Sequence, residues 1–161
     1  MNLKPFGQID IENLQDCYSG ALTVGGSTIA VDLNFDEQTI NPDRMAKVAE
    51  FITNIEHHLK TAHQAIADDY ELGEASQAAG CYLEHHLAEM YDDEIKSLFG
   101  TGEVTKALYL SKLNITRVGL YPEEDEAFVV VDIQFSPDIT DYLMAVTFDD
   151  ELALVDIAME S

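Results

Sequence analysis

The sequence predicts an α+β fold: an antiparallel sheet with a central helical block packed on one face. The sheet is made of an N-terminal hairpin plus a C-terminal four-stranded meander. Three stretches carry this expectation. Apolar and polar residues alternate with period two over Ser27–Phe35, and the period becomes helical after Asn41. It returns to two from Leu113 onward. The 161 residues suit one domain, and a hydrophobic content of 47% is enough for one sizeable core. No linker, low-complexity tract or second core interrupts the pattern, so residues 1–161 are expected to form a single domain.

Phe6 to Ser19 is a lead-in with weak helical or turn character. Ala21–Val24 then enters a Gly25-Gly26 turn, and Ser27–Phe35 leaves it. Two glycines supply the positive φ that both centre positions of a two-residue hairpin require. Ile29, Val31, Leu33 and Phe35 share one face of the outgoing strand.

Asn41-Pro42-Asp43 starts a helix, with a capping side chain, a proline suited to the first turn and an acid at the positive end of the dipole. Val48, Ile52, Ile55, Leu59, Ala62 and Ile66 form one apolar stripe, which predicts a single long helix ending near Tyr70. Glu74–Gly80 is expected to be helical. A second helix is expected over Cys81–Tyr91, with Leu83, Leu87 and Met90 inward, continuing through Ile95, Leu98 and Phe99 to Gly100. A short helix over Glu103–Lys112 follows. Four strands close the chain, Ile115–Tyr121, Ala127–Phe135, Tyr142–Phe148 and Leu152–Met159, and their short connections make them a meander.

Acids outnumber bases 31 to 8, for a formal charge of −23. Such a surface repels phosphate backbones and anionic membranes, so no nucleic-acid or membrane partner is expected. No apolar run of the kind a signal peptide needs follows Met1–Pro5. A cytoplasmic location is therefore expected, with Cys17 and Cys81 as free thiols.

Phe6-Gly7-Gln8-Ile9-Asp10, Val31-Asp32-Leu33-Asn34-Phe35, Arg117-Val118-Gly119-Leu120-Tyr121-Pro122, Asp141-Tyr142-Leu143 and Ile157-Ala158-Met159-Glu160-Ser161 span nearly the whole chain. In that order they resemble a bacterial family catalogued as domain of unknown function two-thousand-and-four. The resemblance implies one domain and a bacterial source. It carries no activity, cofactor or catalytic residue.

The chain lacks a G-x-S-x-G nucleophile elbow, a dinucleotide fingerprint and a calcium loop. Gly100–Lys106 lacks phosphate-loop spacing and reads as a helix stop followed by a helix start. Glu56-His57-His58-Leu59 and Glu84-His85-His86-Leu87 repeat four letters. If their helices lie side by side, His57, His58, His85 and His86 are candidate metal ligands; otherwise they are surface or seam histidines. Adjacent histidines diverge by about 100° on a helix, which counts against all four converging.

Asp132, with Asp32 and Asp156, interrupts strand patterns and is a candidate general acid or base. The competing reading is the solvated face of a sheet. Arg117 can pair with Asp132 or Asp156 across that face.

Two functions of different class follow. The first, preferred, is a non-catalytic binding or interaction module for a basic protein partner, of the immunity-protein-like or regulatory kind. The second is a small metal-dependent hydrolase using the helical histidines and carboxylates. No cofactor is called for, and oligomeric state is left open. The candidate binding face is acidic: Glu123, Glu124, Asp125 and Glu126 in one turn of the meander, Asp149, Asp150 and Glu151 in another at the same end. Mutual repulsion there implies that neutralising Glu123, Glu124, Asp149 and Asp150 stabilises the free protein.

Overall fold

The computed structural model describes residues 1–161. β1 (Asn2–Leu3) and β2 (Gly7–Gln8) form a small antiparallel pair. The main sheet has six strands in sequence order: β3 (Cys17–Val24), β4 (Ser27–Asn34), β5 (Asn114–Leu120), β6 (Val129–Gln134), β7 (Leu143–Phe148) and β8 (Leu154–Glu160). Between β4 and β5 lie the helices α1 (Pro42–Thr53), α2 (Ile55–Glu71), α3 (Ala79–Glu89), α4 (Asp92–Phe99) and α5 (Lys106–Lys112).

The β3–β4 hairpin turns at Gly25 and Gly26, whose φ values are 58° and 85°. The mirror-image turn matches the right-handed twist of the strands. β5–β8 form the expected antiparallel meander. Where hairpin and meander join, however, β4 and β5 run parallel. The helical block is the reason, since it carries the chain back to the end of the sheet from which β4 started.

Register sets one face inward. Val31, Val118, Val131, Val146 and Ile157 lie in one row across β4–β8, and all are buried. The helices cover this row with Met45, Val48, Phe51, Leu59, Ile66, Tyr82 and Tyr109.

Three helical expectations are corrected. The long helix is two, because Asn54 leaves helical geometry at φ −106° and ψ 19°. Its side-chain amide donates to Glu50 O at 3.1 Å, the competition with backbone that makes asparagine a poor interior residue. α1 buries Met45, Val48 and Phe51, and Ile52 is only half-buried. Second, Glu74–Gly80 is a single 3-10 turn, Gly73–Ala75, and then a bend into α3. Third, α3 buries Ala79, Tyr82, Leu83 and His86, while Leu87 and Met90 are only half-buried. Spacing i, i+3, i+4, i+7 makes the same stripe. Tyr82 fits it because its hydroxyl accepts from Phe135 N at 3.0 Å and donates to Tyr142 O at 3.3 Å.

At the far edge, β8 turns only Ile157 fully inward, and Leu154 and Val155 are about half exposed at 50% and 48%. A register shift opposite Thr147 and Phe148 displaces the expected alternation. No helix is long and apolar enough to cross a membrane.

Docking of α2 on the sheet can be tested at Ile55, which is 8% exposed. Ile55→Asp is expected to cost about 3–5 kcal/mol, from lost burial and a buried charge. The gain from an acid at a helix start, at most about 1 kcal/mol, does not offset it. A variant melting within a degree or two of wild type contradicts this packing.

Candidate functional site

The two acidic turns do meet: Asp150 N donates to Asp125 O at 2.9 Å. They are not free of bases, however. α1 delivers Arg44, which donates to Pro122 O at 2.6 Å, Glu124 O at 2.7 Å and the Asp150 carboxylate at 2.7 Å. It also pairs with Asp125 at 3.1 Å, and Lys47 reaches Asp150 at 2.5 Å. Lys47 first, with Arg44 adding to it, holds the Asp150 carboxyl below the usual aspartate range. The Glu123 carboxylate accepts from Asp36 N and Glu37 N at 2.6 and 3.0 Å. Asp149 accepts from Glu151 N and Ala153 N at 3.0 and 2.8 Å. Only Glu124, Glu126 and Glu151 remain without such side-chain partners. This end is largely a clasp between α1 and the sheet. Neutralising Asp150 takes from Lys47 its only carboxylate and from Arg44 one of two, and losing the Glu123 and Asp149 carboxylates takes acceptors from backbone N–H groups. The expected stabilisation on removing Glu123, Glu124, Asp149 and Asp150 therefore becomes an expected loss.

On the outward face of the sheet, Arg117 lies directly opposite Asp132. Its guanidinium grips Asp32 through Nε–Oδ1 and Nη2–Oδ2, both 2.6 Å, and reaches Asp132 at 3.1 Å. Nη2 also donates to the Tyr121 hydroxyl at 2.8 Å. Gly119 makes this possible: a Cβ there would lie 2.7 Å from Arg117 Nη2 and 2.9 Å from the Tyr121 ring. Asp156 takes no part, since β6 and β7 separate its strand from β5. Asp132 is 7% exposed, so its surroundings are not those of a solvated strand face. Burial pushes its pKa up, with Arg117 pulling it back in part and Asp32 pushing it further. None of the four main clefts is lined by Arg117 or Asp132, and the arrangement is a bidentate ionic clamp between β4, β5 and β6.

The histidines separate. His57 lines a cleft reaching Phe148, the last residue of β7. His58 stacks on Phe51 with ring centroids 4.8 Å apart, and burial pushes its pKa down, with His57 adding to the effect. His85 and His86 line a different cleft at Tyr142, just before β7 begins. No group of three or more His, Cys, Asp or Glu side chains is arranged to hold a metal ion. The four histidines therefore do not form the joint site that side-by-side helices suggested. α2 and α3 place the pairs toward opposite ends of β7.

The His85–His86 cleft carries the most carboxylates of the four main clefts. It encloses about 950 Å³ between the end of α3, α4 and the β6–β7 loop. Glu89, Asp93, Glu94, Asp138 and Asp141 line it, and no lysine or arginine does. Glu94 caps α4 by accepting from Tyr91 N at 2.8 Å. Tyr142 stands in the wall with its ring 4.4 Å from His85. His86 is 3% exposed, and its Nδ1 lies 2.7 Å from Tyr82 O. Its Nε2 is buried without a partner. Burial lowers the His86 pKa; the Tyr82 hydrogen bond opposes this, and His85 adds to the lowering.

This cleft was not legible in the sequence. Its acids come from segments near residues 90 and 140, and only topology joins them. The Tyr82–His86 pair at i, i+4 beside Leu83 was the available signal for an inward histidine.

Five of the eight bases, Arg44, Lys47, Lys60, Lys106 and Arg117, are in ion pairs, which leaves most carboxylates unneutralised. Moderate salt is therefore expected to raise the melting temperature near neutral pH by screening repulsion. A melting temperature that falls from low to moderate salt would show that the ion pairs outweigh the repulsion.

Comparisons with family models, with curated proteins and with solved structures find no match for this chain.

Proposed function

We propose that the protein is a non-catalytic binding module for a basic protein partner. One observation carries the reading: a cleft of about 950 Å³ walled by five carboxylates with no lysine or arginine in its lining. Such a wall concentrates field lines on a cation and speeds its encounter. The exposed Glu124, Glu126 and Glu151 at the other acidic end add to the long-range field. The metal-dependent hydrolase reading is the weaker one because His57 and the His85–His86 pair line separate clefts.

Calorimetric titration with an octa-lysine peptide tests the proposal. Saturable binding at low salt is expected, weakening steeply as salt approaches physiological strength, where the Debye length is about 8 Å. A Gly-Ser peptide of equal length should not bind. Absence of octa-lysine binding at low salt contradicts the proposal.

A further inference from the structure

We propose that the acidic cleft receives a lysine or arginine side chain of the partner, and that His86 Nε2 accepts a hydrogen bond from its charged head. The inference rests on the binding-module reading and adds the ligand group and its acceptor.

Tyr82 O only accepts, so His86 Nδ1, 2.7 Å away, carries the proton and donates. In the neutral ring this leaves Nε2 with a bare lone pair. That atom is buried and nothing in the chain donates to it. Buried polar atoms are ordinarily satisfied, and this orphan belongs to a ring that lines the cleft, so a donor seated there reaches it once the wall gives slightly. Burial, which disfavours the charged ring, keeps it in this accepting form.

The cleft supplies the rest of the chemistry. Glu89, Asp93, Asp138 and Asp141 favour a donor that is also a cation. Tyr142, an aromatic residue of the lining, is of the type that attracts an ammonium or guanidinium. A transition metal is the poorer fit, since no three ligating side chains converge.

The test follows the His86 side-chain nitrogens by ¹⁵N NMR during titration with octa-lysine, alongside calorimetry of wild type and H86F. Phenylalanine suits the site sterically, because His86 packs among the rings of Tyr82 and Phe135. The His86 Nε2 resonance is expected to move saturably, tracking the calorimetric isotherm, and H86F to bind about tenfold more weakly. If the peptide binds while the Nε2 resonance stays fixed, the inference is overturned and the binding-module reading survives. If H86F folds and binds as wild type does, the inference is likewise overturned. Should H86F fail to fold, the wild-type resonance alone decides. If octa-lysine does not bind wild type at all, both readings fall.

Discussion

Asp69→Ala is expected to lower stability by about 3 kcal/mol at pH 7. Asp69, near the end of α2, is 4% exposed and accepts four hydrogen bonds. They come from Ser76 Oγ at 2.7 Å and from the backbone of Gln77, Ala78 and Ala79 at 2.8, 3.1 and 2.8 Å. The carboxylate thus caps α3 from another helix, since Ala78, at the cap position, has no side chain to do so; Ser76 Oγ shares the task by accepting from Gly80 N at 2.8 Å. Removing it leaves buried N–H groups without acceptors and loosens the α2–α3 corner. Burial alone would raise the Asp69 pKa. The hydrogen bonds from Gln77, Ala79, Ser76 and Ala78 outweigh it and hold the carboxyl below the ordinary range. A depressed folded pKa stabilises fully above the unfolded value of about 3.9 and loses that contribution as pH falls through the folded one. The gap between wild type and D69A should therefore narrow below about pH 4. Urea unfolding at pH 7 and at low pH checks both statements. A D69A loss under about 0.5 kcal/mol at pH 7 contradicts the capping role.

Arg117→Met is expected to cost about 3–5 kcal/mol at pH 7, because it leaves Asp32 and Asp132 facing each other without the guanidinium. The pH response should also grow, because burial already holds the Asp132 carboxyl above its ordinary range with Arg117 in place. With Arg117 gone, both burial and Asp32 raise the Asp132 carboxyl above its unfolded pKa. The folded state then binds more protons, so R117M should gain stability as pH falls from 7 toward 5. Combining R117M with D32N and D132N should recover most of the loss, since no unpaired charge remains. An R117M protein that is steadily destabilised by acid over that interval would show that the clamp is not what holds the three strands.

What the sequence made legible and what it concealed divide along physical lines. The Gly25-Gly26 turn, the Asn41-Pro42-Asp43 start and the strand alternation are local, and each was recovered because its cause lies within a few residues. Asn41 does cap α1, accepting from Asp43 N at 2.9 Å. Asn54 was hidden because the apolar stripe runs on past it, and periodicity does not register one side chain competing for the backbone. Tyr82 is absent from the expected core and His86 is expected as a metal ligand or a surface or seam residue, yet each buries its ring and turns a nitrogen or oxygen to a backbone group. The Arg117–Asp132 pair was visible as a cross-strand possibility. Its stronger partner, Asp32, depended on the parallel β4–β5 joint, which alternation alone does not set. Arg44 and Lys47 entered the acidic turns from about 80 to 106 positions away in sequence, a distance only the finished topology closes. The same holds for the cleft, where acids of α3, α4 and the β6–β7 loop converge.

The cleft's role in binding is tested most directly by comparing the salt dependence of octa-lysine binding for two charge-matched variants. One carries Glu89→Gln, Asp138→Asn and Asp141→Asn in the cleft. The other carries Glu124→Gln, Glu126→Gln and Glu151→Gln at the opposite acidic site. The cleft variant should lose about tenfold in affinity at low salt and show a shallower dependence on salt, while the turn variant stays close to wild type. Equal losses in the two variants, or none in the cleft variant, contradict a basic partner seated in the cleft.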